Sequence, residues 1–80
     1  MGYSDLQRQS PLEGRYANCF NVGHNAYEFV LEFGQLYRGE ETPRIHTRIV
    51  TSPAYAQELF ETLETALREY RQGGSSGGDE

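Results

Sequence analysis

The chain has 80 residues, with 12 acidic and 7 basic side chains and a net charge of −5. Every basic residue is an arginine and lysine is absent, so nonspecific binding to nucleic acid or to an anionic membrane, which depends on basic patches, is disfavoured. That length makes at most one domain; no stretch approaches membrane-spanning length, and Met1-Gly2-Tyr3-Ser4 has neither the basic nor the apolar region of a secretion signal, so a soluble cytoplasmic protein is expected.

Residues 1–14 carry Leu6 and Leu12 as isolated apolar anchors among Ser, Asp, Gln, Arg, Pro and Gly, and read as a flexible N-terminal arm. A first strand is expected over 15–22, with Tyr16, Asn18, Phe20 and Val22 on one side and Ala17, Cys19 and Asn21 on the other. Gly23-His24-Asn25 supplies a turn containing two residues that tolerate positive φ. Loop length decides which side of this strand meets the core, because a one-residue slip exchanges its faces. A two- or four-residue loop buries Phe20 and Val22, whereas a three-residue loop buries Ala17, Cys19 and Asn21; the first choice hides more apolar area and is preferred.

A second strand is expected over 27–37, where bulky Tyr27, Phe29, Leu31 and Phe33 recur at every second position. The segment Arg38-Gly39-Glu40-Glu41-Thr42-Pro43 reads as a surface loop, since Pro43 cannot donate a ladder hydrogen bond. A third strand containing Ile45-His46-Thr47-Arg48-Ile49 follows. A register centred on Glu40 sets Glu32 opposite Arg48 and Val30 opposite Val50 on the outer face, with Leu31 opposite Ile49 on the inner one. Opposed charges at such cross-strand positions contribute about 0.2–1 kcal/mol.

The hydrophobic period then changes from two to between three and four at Thr51-Ser52-Pro53. Ser52 is a favoured N-cap and Pro53 suits the first helical position, where no amide donor is needed. Ala56, Leu59, Phe60, Leu63, Leu67 and Tyr70 fall on one face of a helix over 53–72, with Glu64 and Arg68 spaced for an ion pair. Gly73 is expected to end the helix, with Arg68 and Arg71 against its negative end, and 73–80 to form a flexible Gly/Ser tail.

The expected fold is α+β: a three-stranded antiparallel β-meander followed by one C-terminal α-helix packed on its inner face, a βββα domain over 15–72. Ordering each residue of so small a scaffold costs about 1.5 kcal/mol, a sum that apolar burial within one chain barely offsets. The single Cys19 cannot form an intrachain disulfide, and no metal-ligand pattern supplies a staple, so dimerisation is expected to complete the core.

Tyr16-Ala17-Asn18, Glu28-Phe29-Val30-Leu31-Glu32-Phe33-Gly34 and Arg48-Ile49-Val50-Thr51-Ser52-Pro53, in that order, resemble a family of short prokaryotic proteins catalogued as a domain of unknown function. The likeness covers about 15–70 and rests on the Glu-Phe-x-Leu-x-Phe-Gly and Arg-Ile-Val-x-Ser-Pro runs. Cys19, Asn21 and Ala26 depart from the family pattern. The resemblance implies the strand and helix boundaries and transfers no chemistry.

Enzyme readings find little support in the residues. Cys19 as a nucleophile requires a nearby base such as His24 or His46 and a third orienting group, and no cysteine-enzyme signature surrounds it. Cys19, His24 and His46 lack paired metal-ligand spacing. Glu28 and Glu32, four apart on one strand face, suit cross-strand charge pairing better than acid–base work, which needs an enclosing cleft. The leading expectation is a noncatalytic interaction or adaptor module without cofactor, acting as a homodimer on an unidentified protein partner through a sheet edge and the Tyr37–Pro43 loop. Tyr37, Arg38, Arg44, His46 and Arg48 are its candidate partner-binding residues. The alternative, a single-stranded nucleic-acid binder, would stack bases on Tyr16, Phe20, Tyr27 and Tyr37 between arginines.

Overall fold

The computed structural model describes residues 12–77, so most of the expected N-terminal arm and the last three residues of the expected tail lie outside the described residues. Three strands, β1 (Cys19–His24), β2 (Phe29–Gln35) and β3 (Arg44–Thr51), form one antiparallel sheet in the order β1-β2-β3, and α1 (Pro53–Gly77) follows. The βββα order and the meander are as the hydrophobic periods require.

The register follows the pattern of side chains. Phe20 faces Phe33, Val22 faces Leu31 and His24 faces Phe29, which leaves a four-residue connection over 25–28 and puts Phe20 and Val22 on the same face as Leu31 and Phe33. Across the other ladder Glu32 faces Arg48, Val30 faces Val50 and Leu31 faces Ile49, the arrangement that a loop centred on Glu40 demands. Phe20 and Phe33 meet edge to face, with ring centroids 5.9 Å apart.

β1 and β2 are shorter than the sequence suggests, and polar side chains explain why. At the β1–β2 connection the Asn25 side-chain oxygen accepts the amides of Tyr27 and Glu28 at 2.7 and 2.8 Å, while the Asn25 amide donates to the Glu28 carbonyl. This Asx turn replaces the expected Gly23-His24-Asn25 turn; Gly23 and His24 stay in the strand, and neither Gly23 nor Asn25 takes a positive φ. At the other end, Asn18 stands in for a strand residue. Its side-chain oxygen accepts the Leu36 amide at 2.8 Å and its amide group donates to the Leu36 carbonyl, so β1 begins at Cys19 rather than at residue 15.

Past Gln35 the chain turns, with the Glu40 amide donating to the Tyr37 carbonyl and Gly39 at φ 86° in the third turn position. A positive φ there is the requirement of a type II turn, which glycine meets without steric cost. A register shift between Phe33 and Gly34 then makes Gly34 face Ile45 and Gln35 face Arg44, one residue off the simple count. The cause is close approach: a Cβ on Gly34 would lie 2.6 Å from the Arg44 carbonyl oxygen and 2.7 Å from Ile45 Cδ1.

The start of α1 is capped as expected, with the Ser52 hydroxyl accepting the Tyr55 amide at 3.2 Å and the Ser52 carbonyl accepting the first helical amide, from Ala56. Its end is not where expected. The helix passes Gln72 and runs to Gly77, Gly73 has no left-handed φ, and Arg68 and Arg71 therefore lie before the last turn. Glycine weakens a helix by about 1 kcal/mol relative to alanine and does not forbid it.

The helix also departs from the expected packing. No hydrophobic side chain is buried among the described residues, and α1 meets the sheet only along an open groove at Leu59 and Leu63 instead of covering it. The radius of gyration is 15.4 Å, against about 12 Å for a compact chain of this length. Phe20 and Val22, expected to be buried, are exposed. The apolar stripe of one helix projecting from a three-stranded sheet covers only part of its inner face.

Candidate functional site

The expected partner-binding residues divide into one cluster and two outliers. Tyr37, Arg44 and His46 border a polar groove together with Gln35, Arg15 and Tyr16. The chain over 14–16 enters this groove because the Tyr16 carbonyl accepts a hydrogen bond from His46 Nε2 at 3.0 Å. A carbonyl can only accept, so Nε2 carries the proton and Nδ1, in the neutral ring, accepts from the Thr47 hydroxyl at 2.6 Å. His46 is thereby a clasp between β3 and the segment before β1.

Arg44 is held from two sides. Its guanidinium donates to both Glu40 carboxylate oxygens, at 3.3 and 2.7 Å, and lies 5.1 Å over the Tyr37 ring. The Glu40 carboxylate raises the Arg44 pKa further above its already high value, so the group stays cationic throughout the accessible pH range. The Glu40–Arg44 pair was invisible in the sequence as a site feature because it depends on the turn at Gly39 and the register shift at Gly34. Arg38, by contrast, is an exposed residue of the turn itself. Arg48 lies on the outer face, bound to Glu32 at 2.7 Å. Asn21 also donates to Glu32, and the Arg48 hydrogen bond, followed by the one from Asn21, holds the Glu32 carboxyl below its ordinary pKa.

Cys19 is half-buried opposite Gly34 on the outer face. His24, five residues along the same strand, projects from the inner face and stacks on Phe29 with centroids 5.1 Å apart, and both ring nitrogens of His46 are engaged elsewhere. Neither histidine is placed to act as a base for Cys19. Among the described residues no three His, Cys, Asp or Glu side chains gather as metal ligands would. Asn18 and Asn21 serve the backbone and a carboxylate: Asn18 extends the β1–β2 ladder and Asn21 binds Glu32.

A separate feature is apolar. Phe20, Val22, Leu31 and Phe33 on the sheet and Leu59 and Leu63 on the helix form the walls of an open groove, with Asn21 and Glu32 beside it. A second, shallower hollow lies on the helix itself, between Phe60, Leu63, Glu64 and Leu67 with Arg71 at its end. The sequence marks the apolar residues among these as inner-face positions; that they remain open is visible only in the structure. No helix is long and apolar enough to cross a membrane among the described residues.

No curated protein and no solved structure matches the chain. A family model does, over residues 6–75, and its description is a protein of unknown function (DUF3467). With the match extending over most of its length and the strand–helix order agreeing with the residues that carry the resemblance, the chain belongs to the DUF3467 family.

Proposed function

We propose that the protein is a small noncatalytic interaction module that works as a homodimer. The observation that carries this reading is the absence of any buried hydrophobic side chain among the described residues, while Phe20, Leu63 and Tyr70 are 62%, 55% and 70% exposed. Apolar burial is the main favourable contribution to folding, and a chain that leaves its own inner faces open gains little of it alone. A second copy supplies the missing half. The edges of β1 and β3 and the groove at Tyr37, Arg44 and His46 then remain for a further protein partner, since an open strand edge and a Tyr/Arg surface both suit such contacts.

The nucleic-acid reading is weaker, because Arg44 and Arg48 are each neutralised by a carboxylate at 2.7 Å and phosphate contacts would have to displace Glu40 and Glu32. A fluorescence titration with a labelled single strand at low salt should show no salt-sensitive binding; tight, steeply salt-dependent binding would reverse this preference. The homodimer is tested by thermal unfolding at several protein concentrations. Folding coupled to dimerisation gives a Tm that rises with concentration, whereas a self-sufficient monomer gives a constant one.

A further inference from the structure

Resting on the homodimer reading, we infer that the surface joining the two copies is the apolar groove between sheet and helix, and that its occupant is α1 of the second copy. On the helix, Ala56, Phe60, Leu63, Leu67 and Tyr70 recur at alternating steps of four and three residues. That spacing averages 3.5 and makes the narrow seam by which one helix meets another. The hollow bounded by Phe60, Leu63, Glu64 and Leu67 has the four-residue outline that accepts a single side chain from a facing helix. Leu59, beside the seam, turns with Leu63 toward the chain's own sheet. Each α1 therefore has one apolar flank for its own β1 and β2 and another for a neighbouring rod.

The described residues do not fill the groove. Residues outside the described range contribute only Met1, Tyr3 and Leu6 as large apolar side chains, and Leu12 is 84% exposed. A second α1 can fill it. More than half of the surface of Phe20, Val22, Phe60, Leu63 and Tyr70 is open, and the three aromatic side chains among them bury about 150–250 Å² each when covered. Together the exposed faces amount to several hundred Å², beyond what scattered surface residues expose and a substantial part of the roughly 800 Å² that each partner gives to a stable interface. Because groove and rod belong to the same chain, one twofold axis covers both at once, each helix entering the other's groove, and the contact closes without leaving a free end.

The test uses the full chain with Cys19→Ser, Val22→Cys and Leu67→Cys, oxidised mildly and run on a nonreducing gel beside the two single-cysteine chains. Helix exchange predicts at least tenfold more covalent dimer in the double-cysteine chain than in either single one. A disulfide that forms within one chain, or no disulfide while the protein keeps a dimer's mass, would overturn the exchange yet leave the homodimer standing, as edge-to-edge strand pairing would. A wild-type protein that is monomeric overturns both. Leu67→Asp gives an independent reading, since it alters no strand register: the exchange predicts release of monomers, and an unchanged dimer counts against it.

Discussion

The sheet and the helix solve different halves of the folding problem. In the sheet the polar groups are settled inside the chain: Asn25 closes the first turn, Asn18 continues the ladder to Leu36, Gly34 admits the Arg44 carbonyl, and Glu32 holds Arg48. The helix is settled along its backbone and by the polar pairs Gln57–Glu61 and Glu64–Arg68, not along its apolar face. Its cap at Ser52 is complete, but Leu59, Phe60, Leu63 and Leu67 remain at least two-fifths exposed. Hydrogen bonding is satisfied pair by pair, by partners that the sheet itself brings together, whereas apolar burial needs a second surface of matching size, and 80 residues provide too little of one.

That contrast ranks the effects of substitution. The largest is expected at Leu63, which lines both apolar hollows: Leu63→Asp should abolish the dimer and with it cooperative unfolding, read by circular dichroism during a urea titration, while a variant that unfolds as sharply as wild type would show that the helix stripe needs no cover. Next comes Gly34→Val in the sheet, whose Cβ meets backbone at 2.6 Å; overpacking of this kind costs about 1–3 kcal/mol. Its mark should be a lower urea midpoint with the dimer retained. Ser52→Ala removes one capping bond and should cost about 1 kcal/mol, seen as a smaller midpoint shift.

The smallest effect concerns Glu32. Its folded carboxyl ionises more readily than in the unfolded chain, so its contribution is complete above the ordinary carboxylate range and fades as pH falls through the lower folded value. Stability of the wild type should therefore decline between roughly pH 6 and roughly pH 3, and Glu32→Gln should decline less over the same interval. Equal declines would assign the acid sensitivity to other carboxylates.

Much of the sheet was legible from residue order. Alternation in Phe29, Leu31 and Phe33, with the even count back to Phe20 and Val22, determined the first register, and the charges of Glu32 and Arg48 marked the second. The cap at Ser52 was equally readable, as local chemistry usually is. What escaped depended on geometry that periodicity does not encode. The one-residue shift at Gly34 arises from a close approach between strands, and the groove at Tyr37, Arg44 and His46 depends on that shift and on the path of residues 14–16. The helix end escaped for a simpler reason: Gly73 permits a left-handed cap without compelling one. The packing expectation failed because a hydrophobic stripe states that a surface will be covered and leaves open whose surface covers it.

The most direct check is the mass of the full chain in solution at micromolar concentration, by size exclusion with light scattering. Two copies give twice the 9.1 kDa of one chain, and that is the expected result. A single species at 9.1 kDa that still unfolds cooperatively would contradict the account, because the exposed faces of β1, β2 and α1 would then be stable without a second chain.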